Sequence, residues 1–215
     1  VLLLYGAFVL HAVTILGVAH TAPFSPWSFG DYLSRMMPLL WLGMLFFLTF
    51  YTSPQARRAA ILMDATPMPP KQYALARCAA ALTGGALLSL LCMGEAAVFY
   101  GRMFRWYNWG SLLLPALVTL LPALVFALGS GWLLGQLRPW LVYVWMAAPF
   151  LLAALPLPEA LSLWNGRFFT AYPLTLGTLD PAFALPIGAV AAQAALLALG
   201  AALLAAGGSR RKAMR

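Results

Sequence analysis

The stretch SLLLPALVTLLPALVFALGSGWLLGQ, Ser111–Gln136, contains no charged side chain and does not alternate polar with apolar residues. About 20 apolar residues in helical form are enough to cross the hydrocarbon of a bilayer. Because backbone groups in lipid must be satisfied internally, a long run without alternation favours a helix over a barrel strand. The stretch therefore predicts a transmembrane helix.

The composition of the whole chain agrees with this interpretation. Of its 215 residues, 63% are hydrophobic and only 8% are charged. Soluble domains carry about 25% charged residues, and the few charges here would leave very large apolar patches facing water. We therefore expect an all-α integral membrane protein.

Six segments of the chain have the length and apolar character of a span. They cover residues 1–19, 33–52, 73–100, 111–136, 140–155 and 185–206. We expect six transmembrane helices that form a single transmembrane domain over residues 1–215. The sequence starts at Val1 without a Met and already inside an apolar run, so we expect the natural chain to begin earlier.

The positions of the basic residues predict the orientation of the spans. If the spans alternate in direction, nine of the 13 basic residues fall on one side: Arg57, Arg58, Lys71, Arg77, Arg138, Arg210, Arg211, Lys212 and Arg215. Arg35, Arg102, Arg105 and Arg167 fall on the other. Cytoplasmic loops are enriched in Lys and Arg, so the first side is predicted to be cytoplasmic, with both termini there. This distribution explains the net charge of +8 better than nucleic-acid binding does, and we expect no nucleic-acid partner.

The longest predicted outer segment, residues 156–184, contains the stretch LPEALSLWNGRFFTAYPL. Its Leu, Trp and Phe residues are spaced as in a short helix. Pro158 and Glu159 suit a first helical turn, and Gly166 could end the helix. We expect an interfacial or re-entrant helix in the outer leaflet, before the sixth span.

The segment RRAAILMDATPMPPKQYALAR, Arg57–Arg77, interrupts the apolar sequence between the second and third spans. Ile61 and Leu62 are mixed with Arg57, Arg58 and Asp64, a pattern typical of a short amphipathic helix on a membrane surface. The pair Thr66–Pro67 should end that helix, because proline disfavours helix in the residue before it. The residues by themselves leave two alternatives open, a loop that only orients the spans and a segment that transmits motion.

This segment resembles the loop between spans two and three of type-two ATP-binding-cassette (ABC) permeases, the membrane subunits of many bacterial exporters. The matching positions are Arg57–Arg58, Ile61–Leu62, Asp64, Thr66–Pro67, Tyr73 and Arg77. The stretches Phe24–Leu40 and TAYPL, which precede the second and sixth spans, are also similar to the family. The chain departs from the family just before the basic pair, where an acidic residue is common and this chain has Pro54 and Gln55.

The resemblance implies a function and a set of partners. The segment would be a cytoplasmic coupling helix that binds an ABC ATPase through Arg57, Arg58, Ile61, Leu62, Asp64, Thr66 and Pro67. Two ATPase copies would carry ATP and Mg, since no G-x-x-x-x-G-K-[ST] motif occurs in this chain. A second permease, identical or related, would complete the pathway in the bacterial inner membrane. The cargo would be hydrophobic or amphipathic and would be exported.

Three residues within the spans are candidates for the transport pathway. Glu95 is the one acidic residue well inside a predicted span, and an intramembrane carboxylate costs about 3 kcal/mol by insertion scales. It could pair with Arg102 or Arg105, face a transport cavity, or carry protons. Pro115 and Pro122 lie seven residues apart on one face of the fourth span, where they bend the helix or act as a hinge.

The sequence offers no candidates for catalysis or for metal or cofactor binding. No Ser-His-Asp order and no H-E-x-x-H motif occurs. His11 and His20 lack the Glu or Cys neighbours of a metal site. We expect no enzyme activity from this chain alone. The alternative function is a membrane scaffold or sensor subunit that transports nothing.

Overall fold

A computed structural model describes residues 26–53, 55–56, 58, 70–105, 107–155, 163–164, 166–177 and 182–210. Over these residues the chain forms six helices and no strand, which confirms the predicted all-α class. The helices are α1 (Pro26–Thr52), α2 (Pro70–Phe104), α3 (Gly110–Leu137), α4 (Pro139–Ala154), α5 (Arg167–Thr175) and α6 (Ile187–Arg210).

Four of these helices are long and apolar enough to cross a membrane, namely α1, α2, α3 and α6. They correspond to the second, third, fourth and sixth predicted spans, and they show that the chain has the features of a multi-pass membrane protein. Helix α4 is apolar but has 16 residues, about 24 Å at 1.5 Å per residue. The first predicted span, residues 1–19, lies outside the described residues.

Helix α1 begins at Pro26, seven residues before the predicted start of the second span. Proline suits the first turn of a helix because its missing N–H needs no partner there. The sequence after Pro26 contains Asp31, which precedes the predicted span 33–52, and Arg35, which falls inside it. In the structure these charges pair along the helix and do not end it.

The contacts between helices fix their relative directions. Phe47 of α1 packs on Gly84 of α2, and the Tyr32 hydroxyl reaches the Cys92 carbonyl, so α1 and α2 are antiparallel. Leu45 packs on Gly131 of α3. Thr52 packs on Gly135, so α1 and α3 run in the same direction.

Helix α6 is parallel to α3 and approaches it closely. A Cβ atom added to Gly200 would overlap the backbone of Phe126, and one added to Gly129 would overlap the backbone of Gly200. Seven residues further along α6, Gly207 faces Trp132. Small residues permit this approach of two helices in a membrane.

Two ends of the bundle follow from these directions. At one end of the bundle, around Thr52 and Gly135, α1 and α3 end and α2 and α4 begin. We call it the "Arg138 end". We call the "Arg167 end" the opposite one, where Trp27, Phe168 and Ala189 lie in one buried apolar cluster.

A helix does precede the last long helix, namely α5, but it begins after Gly166. Most of the helix predicted between Pro158 and Gly166 lies outside the described residues. Gly166 has φ 75° and is the N-cap of Arg167–Thr175. The left-handed conformation is accessible to glycine because it has no Cβ. Trp27 of α1 lies 5.8 Å from Phe168 and 5.9 Å from Tyr172 between ring centroids, so α5 packs on the first turn of α1.

Candidate functional site

Most residues of the predicted coupling helix lie outside the described residues: Arg57, Ile61, Leu62, Asp64, Thr66 and Pro67. Of that set only Arg58 is described, and it is helical and exposed. The coupling helix and its contacts therefore remain a prediction. What the structure does describe is how the chain leaves α1 before this segment and how it enters α2 after it.

Ser53 joins the end of α1 to a new helical start. Its backbone N–H donates to the Thr49 carbonyl at 3.0 Å, which is the last bond of the α1 ladder. Its hydroxyl accepts a hydrogen bond from the Ala56 backbone N–H at 3.2 Å, the arrangement of a helix N-cap. Gln55, Ala56 and Arg58 are helical. The chain therefore restarts as helix immediately after α1.

Tyr73 and Arg77 form a compact unit in the first turns of α2. The Arg77 guanidinium carbon lies 3.9 Å from the centroid of the Tyr73 ring, and the guanidinium also donates to the Tyr73 hydroxyl. A cation over an aromatic face is attractive. These two residues were among the matches to the permease family. In the structure their contact stabilises the first turns of α2.

Glu95 has no ionic partner among the described residues. One carboxylate oxygen, Oε2, is inaccessible to solvent and has no hydrogen-bond partner. Neither Arg102 nor Arg105 forms the ion pair that the sequence suggested; both side chains are exposed. Of the three alternatives for Glu95, the structure does not show the ion pair with Arg102 or Arg105. A cavity-facing role and a role in carrying protons stay open.

Pro115 and Pro122 are both buried within α3, on the side of the helix that faces the bundle. The helix continues through both of them from Gly110 to Leu137. Each proline lacks an N–H and so frees a carbonyl four residues earlier. The two prolines lie on α3 and Glu95 lies on α2, so the three pathway candidates occupy two different helices.

Because α1 starts earlier than expected, a second acidic residue lies on one of the long apolar helices. Asp31 lies on α1, is buried, and accepts a hydrogen bond from Arg35 Nε at 3.0 Å. The Asp-x-x-x-Arg spacing was the available signal, since side chains four apart meet on a helix. The Ser34 hydroxyl donates to the Asp31 carbonyl at 2.7 Å.

The sequence analysis also missed a group of buried polar side chains without partners. Thr119 of α3 and Gln193 of α6 are 3% and 4% exposed. The Thr119 hydroxyl and both polar atoms of the Gln193 amide have no hydrogen-bond partner among the described residues, and neither has Trp164 Nε1. A polar residue inside an otherwise apolar run was the signal that could have found them.

No group of three His, Cys, Asp or Glu side chains within the described part of the chain is arranged to hold a metal ion. Comparison of the chain with protein-family models, with curated proteins and with solved structures found no match.

Proposed function

We propose that this chain is the membrane subunit of an ABC exporter in the bacterial inner membrane. It would cross the membrane six times with both termini in the cytoplasm. A second permease, identical or related, would complete the pathway, and two cytoplasmic ATPase subunits would bind ATP and Mg below it. Transport would be driven by those subunits, because this chain has no nucleotide-binding motif.

The observation that carries the proposal is where the chain leaves and rejoins the bundle around residues 57–69. Helix α1 ends and α2 begins at the Arg138 end, so the connection starts and finishes there. Arg138 follows α3 at the same end, and α6 finishes there with Arg210. Because Lys and Arg favour the cytoplasmic side, this is the end at which a cytoplasmic ATPase would bind.

The described contacts also suit the transmission of force. The helical restart after Ser53 leads into the predicted coupling helix, and the unit formed by Tyr73 and Arg77 follows it. Further inside the bundle, Met44 packs on Gly85, so α1 and α2 are closely fitted to each other. A movement imposed on the connection would reach both helices as a rigid body.

The cargo would be hydrophobic or amphipathic. Helix α3 carries no charged residue, and α6 carries none before Arg210. Glu95, Pro115 and Pro122 remain the proposed pathway residues. Helix α5 would lie in the outer leaflet beside the exit, held to α1 by the aromatic contacts of Trp27.

Affinity purification of the full chain from its native membrane tests the proposal. We expect an ABC ATPase to copurify in stoichiometric amount, and we expect Asp64→Ala or Thr66→Ala/Pro67→Ala to lower ATP hydrolysis in the complex while the chain still inserts. Asn108→Ala is the matched control, because Asn108 is exposed near the opposite end of the bundle. It should leave hydrolysis unchanged.

Two results would contradict the proposal. A scaffold or sensor subunit would purify without a nucleotide-hydrolysing partner whose activity responds to cargo. Accessibility gives a second check: a cysteine in place of Ala60 should be labelled by an impermeant maleimide only after cells are opened. Labelling in intact cells would place the connection outside and exclude the coupling role.

A further inference from the structure

Thr119 of α3 and Gln193 of α6 carry buried polar groups that the proposed transport pathway does not use. Both side chains are more than nine-tenths buried, and their polar atoms lack partners among the described residues. Leaving a buried donor or acceptor unsatisfied costs roughly 1–3 kcal/mol per group. Buried polar groups in native proteins are overwhelmingly satisfied, so these two side chains indicate a hydrogen-bonding ligand.

From the register of α3 against α6 we infer that the two side chains lie at one level and on facing sides. The backbones of Phe126 and Gly200 are in direct contact. Seven residues make nearly two turns, so Thr119 occupies the same face of α3 as Phe126, two turns toward the Arg167 end. Gln193 has the same relation to Gly200 on α6. Since the helices are parallel, Thr119 and Gln193 face the same interhelical space.

Thr119 differs from other hydroxyl residues inside these helices. Thr52, Ser89 and Ser130 each donate to the carbonyl four residues earlier in their own helix, at 3.2, 2.9 and 2.6 Å. This local bond is the usual way to satisfy a hydroxyl in a helix. Thr119 makes no such bond, so its hydroxyl is free to bond elsewhere.

The prolines of α3 add an acceptor at the same level. Pro122 has no N–H, so the carbonyl four residues earlier, that of Val118, has no helical donor. Val118 precedes Thr119 and packs against the buried cluster that contains Ala189 of α6. Irregular backbone is tolerated at membrane depth where it is covered by protein or lines a polar cavity.

We propose that Thr119, Gln193 and the Val118 carbonyl form an interior site that binds a hydroxyl group, supplied by water or by an alcohol-bearing amphipathic molecule. A hydroxyl both donates and accepts, as this mixed set of groups requires. Neither α3 nor the part of α6 before Arg210 contains a charged side chain to balance an ion. The part that this site plays in transport rests on the proposed exporter function; its binding of a hydroxyl does not.

Cysteine labelling of the full chain tests the site without any ATPase or cargo. The two native cysteines, Cys78 and Cys92, are buried and free and are first replaced by alanine. Thr119→Cys and Gln193→Cys are then reacted with methyl methanethiosulfonate, a small neutral reagent. A hydrated thiol ionises and reacts whereas a thiol in apolar surroundings is inert, so we expect both to react roughly tenfold faster or more than the Ala127→Cys control.

Ala127 is the matched control because it lies on α3 and is fully buried. Equal, slow reaction of all three variants would overturn the site. If Gln193→Cys fails to accumulate, Thr119→Cys decides alone, since cysteine is close to threonine in volume. The reaction is then repeated in the presence of 1-octanol, with octane as its apolar counterpart, to identify whether water or an alcohol supplies the hydroxyl group. Protection by octanol alone indicates an amphipathic alcohol, and no protection indicates water.

A copurification experiment that finds no ATPase would remove the exporter function but would leave this labelling result intact. Conversely, a dry interior between α3 and α6 would remove the site and leave the exporter proposal standing. The two proposals can therefore fail separately.

Discussion

Arg35 Nε and the Asp31 carboxylate are 3.0 Å apart, across one turn of α1. The two partners differ in burial: the Asp31 side chain is 11% exposed and that of Arg35 is 40% exposed. This asymmetry matters within an apolar bundle, because a long basic side chain can extend to the membrane surface whereas a buried carboxylate cannot. Losing one partner should therefore not be equivalent to losing the other.

We predict that Arg35→Gln destabilises the protein more than Asp31→Asn does. Removing Arg35 leaves a buried carboxylate uncompensated, at a cost of about 1–3 kcal/mol. Removing the Asp31 charge leaves a half-exposed guanidinium, at a cost of about 1 kcal/mol or less. Unfolding in detergent by SDS titration measures both, and the double variant should resemble Asp31→Asn. The opposite order would contradict the pairing seen on α1.

Gly166→Ala should destabilise the attachment of α5 to α1. Gly166 has φ 75°, which costs a residue with a Cβ about 1–3 kcal/mol. Asp31 Oδ1 and Ser34 Oγ also lie within 3 Å of the position that the Cβ would take. Gly177→Ala is the matched control, because Gly177 has φ 69° but open space around its Cβ. The apparent melting temperature should fall further for Gly166→Ala; equal falls would mean that the contact with Asp31 and Ser34 is unimportant.

Gly200→Ala should disturb the packing of α6 on α3. The added methyl group would meet the backbone of Phe126, which cannot move aside as a flexible side chain can. Overpacking of this kind typically costs about 1–3 kcal/mol. Gly188→Ala, on the same helix with nothing near its Cβ, should be neutral or slightly stabilising. The melting temperatures of the two variants in detergent test this, and a neutral Gly200→Ala would disprove the close approach.

Glu95→Gln should stabilise the chain while lowering transport-coupled ATP hydrolysis in the complex. The carboxylate oxygen Oε2 is buried without a partner, and removing an unpaired charge from a membrane helix should gain roughly 1–3 kcal/mol. Arg102→Gln is the control: because no ion pair joins Arg102 to Glu95, it should leave stability unchanged. If both variants instead lower the melting temperature equally, the two residues are paired in the membrane.

Much of the helical layout could be predicted from the sequence, because a long apolar run in lipid can satisfy its own backbone hydrogen bonds only as a helix. The third, fourth and fifth predicted spans match α2, α3 and α4 to within four residues at each boundary. Helix α1 starts seven residues earlier than the predicted span, and within its first turns Asp31 and Arg35 form an ion pair along the helix. The start of α5 after Gly166 was not predicted, since a left-handed glycine can precede a helix as well as end one.

The candidate site was less predictable. Pro115 and Pro122 were identified by their chemistry, and their burial was consistent with their shared face. The spacing of Glu95 and Arg102 did not decide whether they form an ion pair. Residues two helical turns apart can come into contact but need not do so. The significance of Thr119 and Gln193 depended on which side chains lay opposite, and those are far apart in the chain.

The sequence by itself determined that this is a helical membrane protein, since an apolar chain with few charges must satisfy its backbone within each segment. It also predicted how the basic residues are divided between the two sides of the membrane. Only the tertiary structure decided which helices touch and in which register, because apolar side chains pack equally well against many neighbours. The Phe126–Gly200 contact fixes that register, and from it we infer the level at which Thr119 and Gln193 face each other.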